Sequence, residues 1–365
     1  MIRVLHFCLL RHLSKGIKNQ LRAELNAVES LSEDCKWNVA AFSLDEVSES
    51  FMHQVKVKEN GIFPFVLRQY IELRRQAYSW LLENQKNYDV ILLRYRDSDL
   101  FLNKASYRLE NYYTVHHSCE EHEIASHYGL VSFIQRKLER ILASSTLRRA
   151  KGVIGVTNEI IEYELARFDS HNHSSFCYSN GIDVENVSCL DDFRSGKPKF
   201  IFISSAFYSW HGLDKVLEQV EKSDLDFELH IVGDLLDNKK IVDDRIFYHG
   251  VLEPSEIDIV MAKCDIGLAP FAMHRKNMKE AVSLKVRDYL AHGIPVFAGH
   301  IDSAIPQEFS YFVNNEFSFE EASRLAGQFR RIPREQIKQA AIPYIEKKVL
   351  VSRLLSFLRS EFKNQ

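Results

Sequence analysis

The chain has 365 residues, 45% of them hydrophobic, with 47 basic against 50 acidic side chains and a formal net charge of −3. That length suits two domains with proper cores, and the near-neutral balance excludes a general nucleic-acid binder, which needs a basic excess. Six cysteines, Cys8, Cys35, Cys119, Cys177, Cys189 and Cys264, show no CxxC or other metal-ligand spacing and suit a reducing compartment.

In chain order, Ile2 to Leu10 (IRVLHFCLL) reads as a buried first strand. His6 interrupts its apolar run, Arg11 follows at once and no small-x-small cleavage site appears, so it is not read as a signal peptide. WNVAAFS, DVILLRY, YYTVH and GVIGV follow as strands, and Ile17 to Ser32, Phe63 to Glu83, Phe133 to Arg149 and Glu159 to Phe168 are amphipathic helical segments between and after them. A polar stretch at about Glu185 to Lys199 breaks the pattern. FIFISSAF, FELHIVG, RIFYHG, DIGLAPF and PVFAG resume it, with a helix over Leu213 to Glu221; beyond about Glu316 the sequence is helical, closing on Val349 to Phe362. Strands alternating with helices predict parallel sheets covered on both faces, here two α/β halves that leave a ligand cleft at the C-terminal ends of their strands. No run of eighteen apolar residues predicts a membrane span.

One stretch carries site chemistry on local rules alone: EAVSLKVRDYLAHGIP, Glu280 to Pro295. Ser283 is a good N-cap, Leu284 to His292 a short helix, Gly293 fits the left-handed position after it, and Pro295 forbids continuation. Val286, Tyr289, Leu290 and Gly293 form the face that packs. The N–H groups of Ser283, Leu284 and Lys285 then point out of the helix start as a phosphate site, with a lysine beside it. Glu280 in the preceding loop and Asp288 in the second turn are acceptor-only groups suited to hydroxyls on either side of that anion. A capped surface helix with solvated charges explains the same stretch.

Taken in order, a strand, Ser204 to Asp214 (SSAFYSWHGLD), HIVGD, FYHG, DIGLAPF and Glu280-x7-Asp288 before YLAHGIPV resemble the donor half of retaining GT-B glycosyltransferases of the family 4, or group 1, type. The resemblance implies two doubly wound Rossmann-like domains facing across a cleft. It divides the chain into an acceptor-side domain (1–187), a linker (188–198), a nucleotide-sugar-binding domain (199–345) and a C-terminal helix (346–365) returning to the first domain. It gives Glu280 the hexose, Asp288 the ribose, and Ser283, Leu284 and Lys285 the diphosphate. Gly212 falls in the loop near the phosphates, and the base is held by backbone near Gly250. Asp288 stands where the family has Glu. Ser205 and His211 stand where it commonly has an Arg and a Lys that neutralise the departing diphosphate; Lys285 or the Arg275-Lys276 pair is expected to supply that charge.

In the first half, Leu13 to Lys18 with Gly16 matches the family's glycine-rich loop. His116 at a strand end matches its catalytic histidine, with His117 as the neighbour that could replace it, and Arg94 matches an acceptor-side arginine. His211, His116 and Arg94 each also admit a purely structural reading. Asn180-Gly181-Ile182-Asp183 is read as turn and hinge. Asp97-Ser98-Asp99 and Asp224-Leu225-Asp226 imitate the metal-binding triplet of GT-A enzymes, but such triplets arise by chance at this composition, and no metal is expected. Arg136, Lys137, Arg140, Arg148, Arg149 and Lys151 form a basic helix face, a solvated surface or a docking site for an anionic membrane.

The expectation is a cytoplasmic enzyme, at the inner face of the membrane at most, that moves a hexosyl group from a nucleotide-sugar to a glycan or lipid-linked glycan of a cell-surface polysaccharide. It needs no cofactor, metal or nucleic acid. Domain closure would align the groups and exclude water. The competing readings are a GT-B scaffold that binds a nucleotide-sugar or partner without transfer, and a phosphorylase.

Overall fold

The computed structural model describes residues 1–31, 35–57, 64–121, 130–168 and 173–363. The chain divides into two compact units, residues 1–178 with 351–365 and residues 179–350. The first holds a seven-stranded sheet, β1 (Ile2–Leu9), β2 (Cys35–Ser43), β3 (Met52–Gln54), β4 (Val90–Arg94), β5 (Tyr112–His116), β6 (Gly152–Gly155) and β7 (Ser174–Cys177), in the order β3-β2-β1-β4-β5-β6-β7. All its pairings are parallel. Helices Lys15–Glu29, Phe65–Asn84, Leu100–Ser106, Leu130–Arg149 and Asn158–Ala166 make the crossovers among the described residues. From Val351 onward the last helix, Lys347–Lys363, belongs to this unit: Phe357 stacks on Phe176 at 4.9 Å and meets Tyr113 edge-on at 5.9 Å.

The second unit holds six parallel strands, β8 (Lys199–Ala206), β9 (Glu228–Asp234), β10 (Ile246–Gly250), β11 (Ile266–Leu268), β12 (Val296–Ala298) and β13 (Phe312–Asn314), in the order β10-β9-β8-β11-β12-β13. Alternation along β8 explains its two cores. Phe200 and Phe202 enter one buried cluster with Leu213, Val216 and Phe319, while Ile201 and Ile203 enter another with Val286, Tyr289 and Leu290. Each fully buried side chain of this size contributes about 1.5–3 kcal/mol. The polar stretch 188–198, expected as a linker, lies inside this unit because Arg194 is buried: its guanidinium donates to the carbonyls of Phe329 and Ile332, each at 3.0 Å, and pairs with Asp192 at 2.6 Å. Each sheet reverses its strand order once, between β1 and β4 and between β8 and β11, and ligands of such sheets bind beyond the strand ends at that point.

Candidate functional site

In the second unit, the helix Leu284–Ala291 begins as its sequence dictates, with the Ser283 hydroxyl accepting from the Lys285 N–H at 3.3 Å. That cap occupies one of the three N–H groups expected to face an anion. Those of Ser283 and Leu284 meet no acceptor among the described residues. Glu280 sits four residues before the helix, in a short parallel bridge to Ile301, and its Oε2 accepts from the Ser303 hydroxyl at 2.6 Å. Asp288 lies half-buried on the second turn, its carboxylate 3.4 Å from Lys285 Nζ and 3.6 Å from His292 Nδ1. A fixed carboxylate, a helix start and a second carboxylate therefore share one short segment.

Sequence reasoning missed what holds this segment. Arg287 is wholly buried and pairs with both oxygens of Asp302, with Nη2 at 2.8 Å, while its Nε donates to the Asn180 carbonyl at 2.9 Å. Asn180 Nδ2 in turn donates to the Val282 carbonyl at 3.2 Å. The Asn180-Gly181 turn and the Asp302-Ser303 loop thus clamp Glu280 and the helix start from two sides. The available signal was an arginine beside the predicted packing face; its partner fifteen residues on could not be read from local spacing.

Ser205 is exposed at a bulge in β8. His211 is buried at the end of the short turn Ser209–His211, where Gly212 takes φ +74° and a Cβ would come within 3.1 Å of Ala272 and Phe271. The imidazole Nδ1 accepts from the Tyr208 N–H at 3.0 Å, which makes Nε2 the protonated nitrogen, 3.3 Å from the Ser204 hydroxyl. Burial pulls its pKa down to about 4, so it is uncharged at neutral pH. The two candidate lysines and the arginine differ. Arg275 is committed to Asp214, at 2.8 and 2.6 Å, and to the Ser209 carbonyl. Lys276 Nζ lies 4.9 Å from the ring centroid of Trp210, which packs 3.6 Å from His211, so Lys276 brings a positive charge to the corner that His211 leaves neutral. Gly250, at φ +70°, lines a cavity of about 280 Å³ with Gly233, Asp234, Lys240 and Tyr248, beyond the ends of β9 and β10.

In the first unit, Gly16 is in the first turn of Lys15–Glu29, a helix capped by Ser14, and a Cβ there would meet only the Ser14 hydroxyl at 4.0 Å. No steric need for glycine exists at this position. His116 and His117 part company. His116 has no exposure: its Nδ1 is 3.1 Å from Glu120 and 3.8 Å from Glu164, and its ring packs on Tyr95 at 4.6 Å. Burial lowers its pKa, while burial pushes Glu164 up to about 8 and Glu120 well above the carboxylate range. The three ligand atoms of this cluster lie within 4.8 Å of one another, close enough to surround an ion, yet proton sharing satisfies the same geometry. His117, by contrast, is half-buried and lines a cleft of about 330 Å³ together with Arg94. Asp97 and Asp99 are buried against Arg74, and Asp99 caps the helix Leu100–Ser106, so this triplet is structural. Much of the basic helix face is also engaged internally: Arg136 and Arg140 pair with Glu121, Arg148 donates to the Phe168 carbonyl, and Arg149 lies over Tyr107.

Residues 197–331 match the family model described as glycosyl transferases group 1. Among solved structures, the lipopolysaccharide outer core galactosyltransferase WaaB in its apo form is similar over 99% of this chain and 100% of its own, at 12% identity and a TM-score of 0.66. A glycosyltransferase from Rickettsia africae is similar over 100% and 99%, at 14% identity and 0.64. Anabaena Alr3699/HepE in complex with UDP and glucose is similar over 99% and 100%, at 13% identity and 0.61. No curated protein sequence matches the chain. At such identities the structural likeness establishes the fold alone.

Proposed function

We propose, from a fold like that of GT-B glycosyltransferases and from the match of residues 197–331 to the glycosyl transferases group 1 model, that this protein is a retaining hexosyltransferase using a nucleotide-sugar donor. In this reading the base occupies the cavity at Gly250 and Asp288 takes the ribose hydroxyls, turning from Lys285 to do so. The diphosphate sits on the helix start at Ser283 and Leu284, with Lys285 and Lys276 as cations in place of Ser205 and His211. Glu280 accepts from the sugar hydroxyls. His117, rather than the enclosed His116, faces the ligand in the first unit, and Arg94 meets the acceptor. Transfer follows a front-face displacement: the acceptor oxygen bonds to the anomeric carbon on the side where the phosphate oxygen leaves, and the leaving diphosphate takes the acceptor proton. The reaction so written needs no metal.

The single observation that carries this reading is the segment from Glu280 to Asp288, where a serine-anchored carboxylate and a helix start with unfilled N–H groups are buttressed by a buried ion pair. HepE has been solved with UDP and with UDP-glucose, which makes UDP the first nucleotide to try. A thermal-shift screen of UDP, GDP, ADP, TDP and CMP tests donor binding. One nucleoside diphosphate should raise the melting temperature by several degrees at 1 mM, since a ligand of the folded state adds about 2.7 kcal/mol at a hundred times its Kd. No shift with any of them would defeat the reading. The rival, a scaffold that binds without transferring, draws on the neutral His211 and exposed Ser205, and predicts the same shift with no sugar released.

The acceptor in this reading is a hydroxyl of a glycan or lipid-linked glycan in cell-surface polysaccharide synthesis, reached from the cytoplasmic face. No helix among the described residues is long and apolar enough to cross a membrane. Peripheral attachment draws on Phe65, Val66 and Leu67 at one helix start and on Phe133 and Ile134 of another, all exposed, with Arg68 over Phe65 and Lys137 over Phe133. Co-sedimentation with vesicles containing phosphatidylglycerol should fall severalfold in Phe133→Ser/Ile134→Ser; equal sedimentation of the two proteins would exclude this patch.

A further inference from the structure

The acceptor side of the first unit carries a charge imbalance that the fold does not resolve. Arg94 ends β4, and Tyr95 and Arg96 continue the chain. In extended backbone successive side chains point to opposite sides, so Arg94 and Arg96 share one side while Tyr95 turns inward, its hydroxyl 2.9 Å from Glu139. Both arginines line the cleft of about 330 Å³ at the β1/β4 switch point, with His117, Ser118, Gln135 and the carboxylates Asp97 and Glu120 also in its wall. Arg96 and Gln135 also line an adjoining cleft of about 170 Å³, together with Arg11, Arg74 and the leucines Leu9, Leu44 and Leu73. The two clefts share Arg96 and Gln135 and together make one candidate groove.

The carboxylates in or beside this wall have their ion-pair partners among other residues. Asp97 and Asp99 both face Arg74, with the charge of Arg96 acting on Asp97 as well but forming no ion pair with it; Asp99 also caps a helix, and Glu120 lies 3.1 Å from His116 Nδ1, with burial pushing its pKa up. Arg11 donates to the Gln69 side-chain oxygen Oε1 at 3.0 Å, a neutral partner. The side chains of Arg94, which is half-buried, and of Arg96, which is exposed, take no ion pair or hydrogen bond among the described residues. A partly desolvated guanidinium without an acceptor is unfavourable, and its planar fork of donors matches a phosphate or carboxylate.

We propose that this groove recognises an anionic group, a phosphate or carboxylate borne by the acceptor glycan, with Arg94 and Arg96 as its cations and the three leucines against the neighbouring residue of the acceptor. The proposal rests on the glycosyltransferase reading for calling the ligand an acceptor; the anion preference itself rests on the groove. Neutral glycans are then poor ligands, because they offer no charge to the half-buried Arg94 guanidinium or to Arg96 beside it.

Isothermal titration of the full chain at low salt with methyl glucoside, glucose 6-phosphate, glucuronate and inorganic phosphate tests it. Glucose 6-phosphate or glucuronate should bind at least tenfold more tightly than methyl glucoside and more tightly than inorganic phosphate; which of the two binds better identifies the group. Arg94→Gln and Arg96→Gln should each weaken that binding about tenfold, and neither should alter the thermal shift given by UDP. Equal binding of neutral and charged sugars, inorganic phosphate binding as tightly as either sugar, or unchanged binding in both variants would overturn the proposal. Arginine-dependent binding of a charged sugar in a protein that shows no shift with any nucleotide would sustain it and sink the donor reading instead.

Discussion

Glu280→Gln is expected to lower kcat about a hundredfold while leaving the melting temperature and the nucleotide-induced thermal shift nearly unchanged. The side chain is half-buried, and its Oε2 already accepts from Ser303 at 2.6 Å, a bond that a glutamine oxygen can also take. The substitution therefore keeps shape and anchor and removes the charge. A carboxylate that strengthens its hydrogen bonds as the sugar becomes cationic stabilises the transition state more than the ground state, and losing such a group costs about 2.7–4 kcal/mol, a factor of roughly 10² to 10³. Steady-state kinetics with the donor identified by thermal shift reads the effect. If Glu280→Gln turned over at the parent rate, Glu280 would be a loop residue and the site would have to be placed elsewhere.

The largest effect on stability is expected at Arg287. Replacing it with Met leaves Asp302 buried without its counter-ion and the Asn180 carbonyl without its donor. Breaking a buried pair by removing one partner costs about 3–5 kcal/mol, which for a unit of this size lowers the melting temperature by roughly 6–20 °C. The double variant Arg287→Met/Asp302→Leu should recover most of that loss, because replacing both charges with apolar groups can be nearly neutral. Nucleotide binding should not recover with it. Ser303, which orients Glu280, follows Asp302 directly, and Asn180 ties the loop at Val282, so the pair sets the site's geometry as well as its stability. Denaturant melts with and without nucleotide separate the two effects; a single variant as stable as the parent would show that the pair is not what holds this loop.

Much of the second unit could be read from sequence because its signals are local. The cap at Ser283, the helix to Ala291 and the left-handed Gly293 depend on residues within one or two turns, and they fall where the spacing puts them. The strands of β8, β9 and β10 are apolar runs with β-branched and aromatic residues bounded by turns. Short strands such as β3, β7 and β13, three or four residues each, carry no periodic signal and exist through pairing with β2, β6 and β12. The ambiguity between His116 and His117 has a similar origin. At a strand end, period two assigns opposite sides to neighbours but does not say which side is open, and here the helix Asn158–Ala166, through Glu164, closes over His116. Arg287 and Asp302, and the neutrality of His211, are products of tertiary packing. The sequence supplies the groups; only the fold supplies the partners and the burial that set their charge.

Turnover of a nucleotide-sugar is the most direct test of the central claim. Incubated with UDP-glucose and the corresponding GDP-, ADP- and TDP-sugars, with an acidic glycan acceptor, the full chain should release one nucleoside diphosphate and give a product whose new anomeric centre keeps the donor's configuration, read by NMR of the purified product. A product of inverted configuration would contradict the retaining mechanism. Nucleotide binding without release of sugar from any donor would contradict the assignment as a transferase.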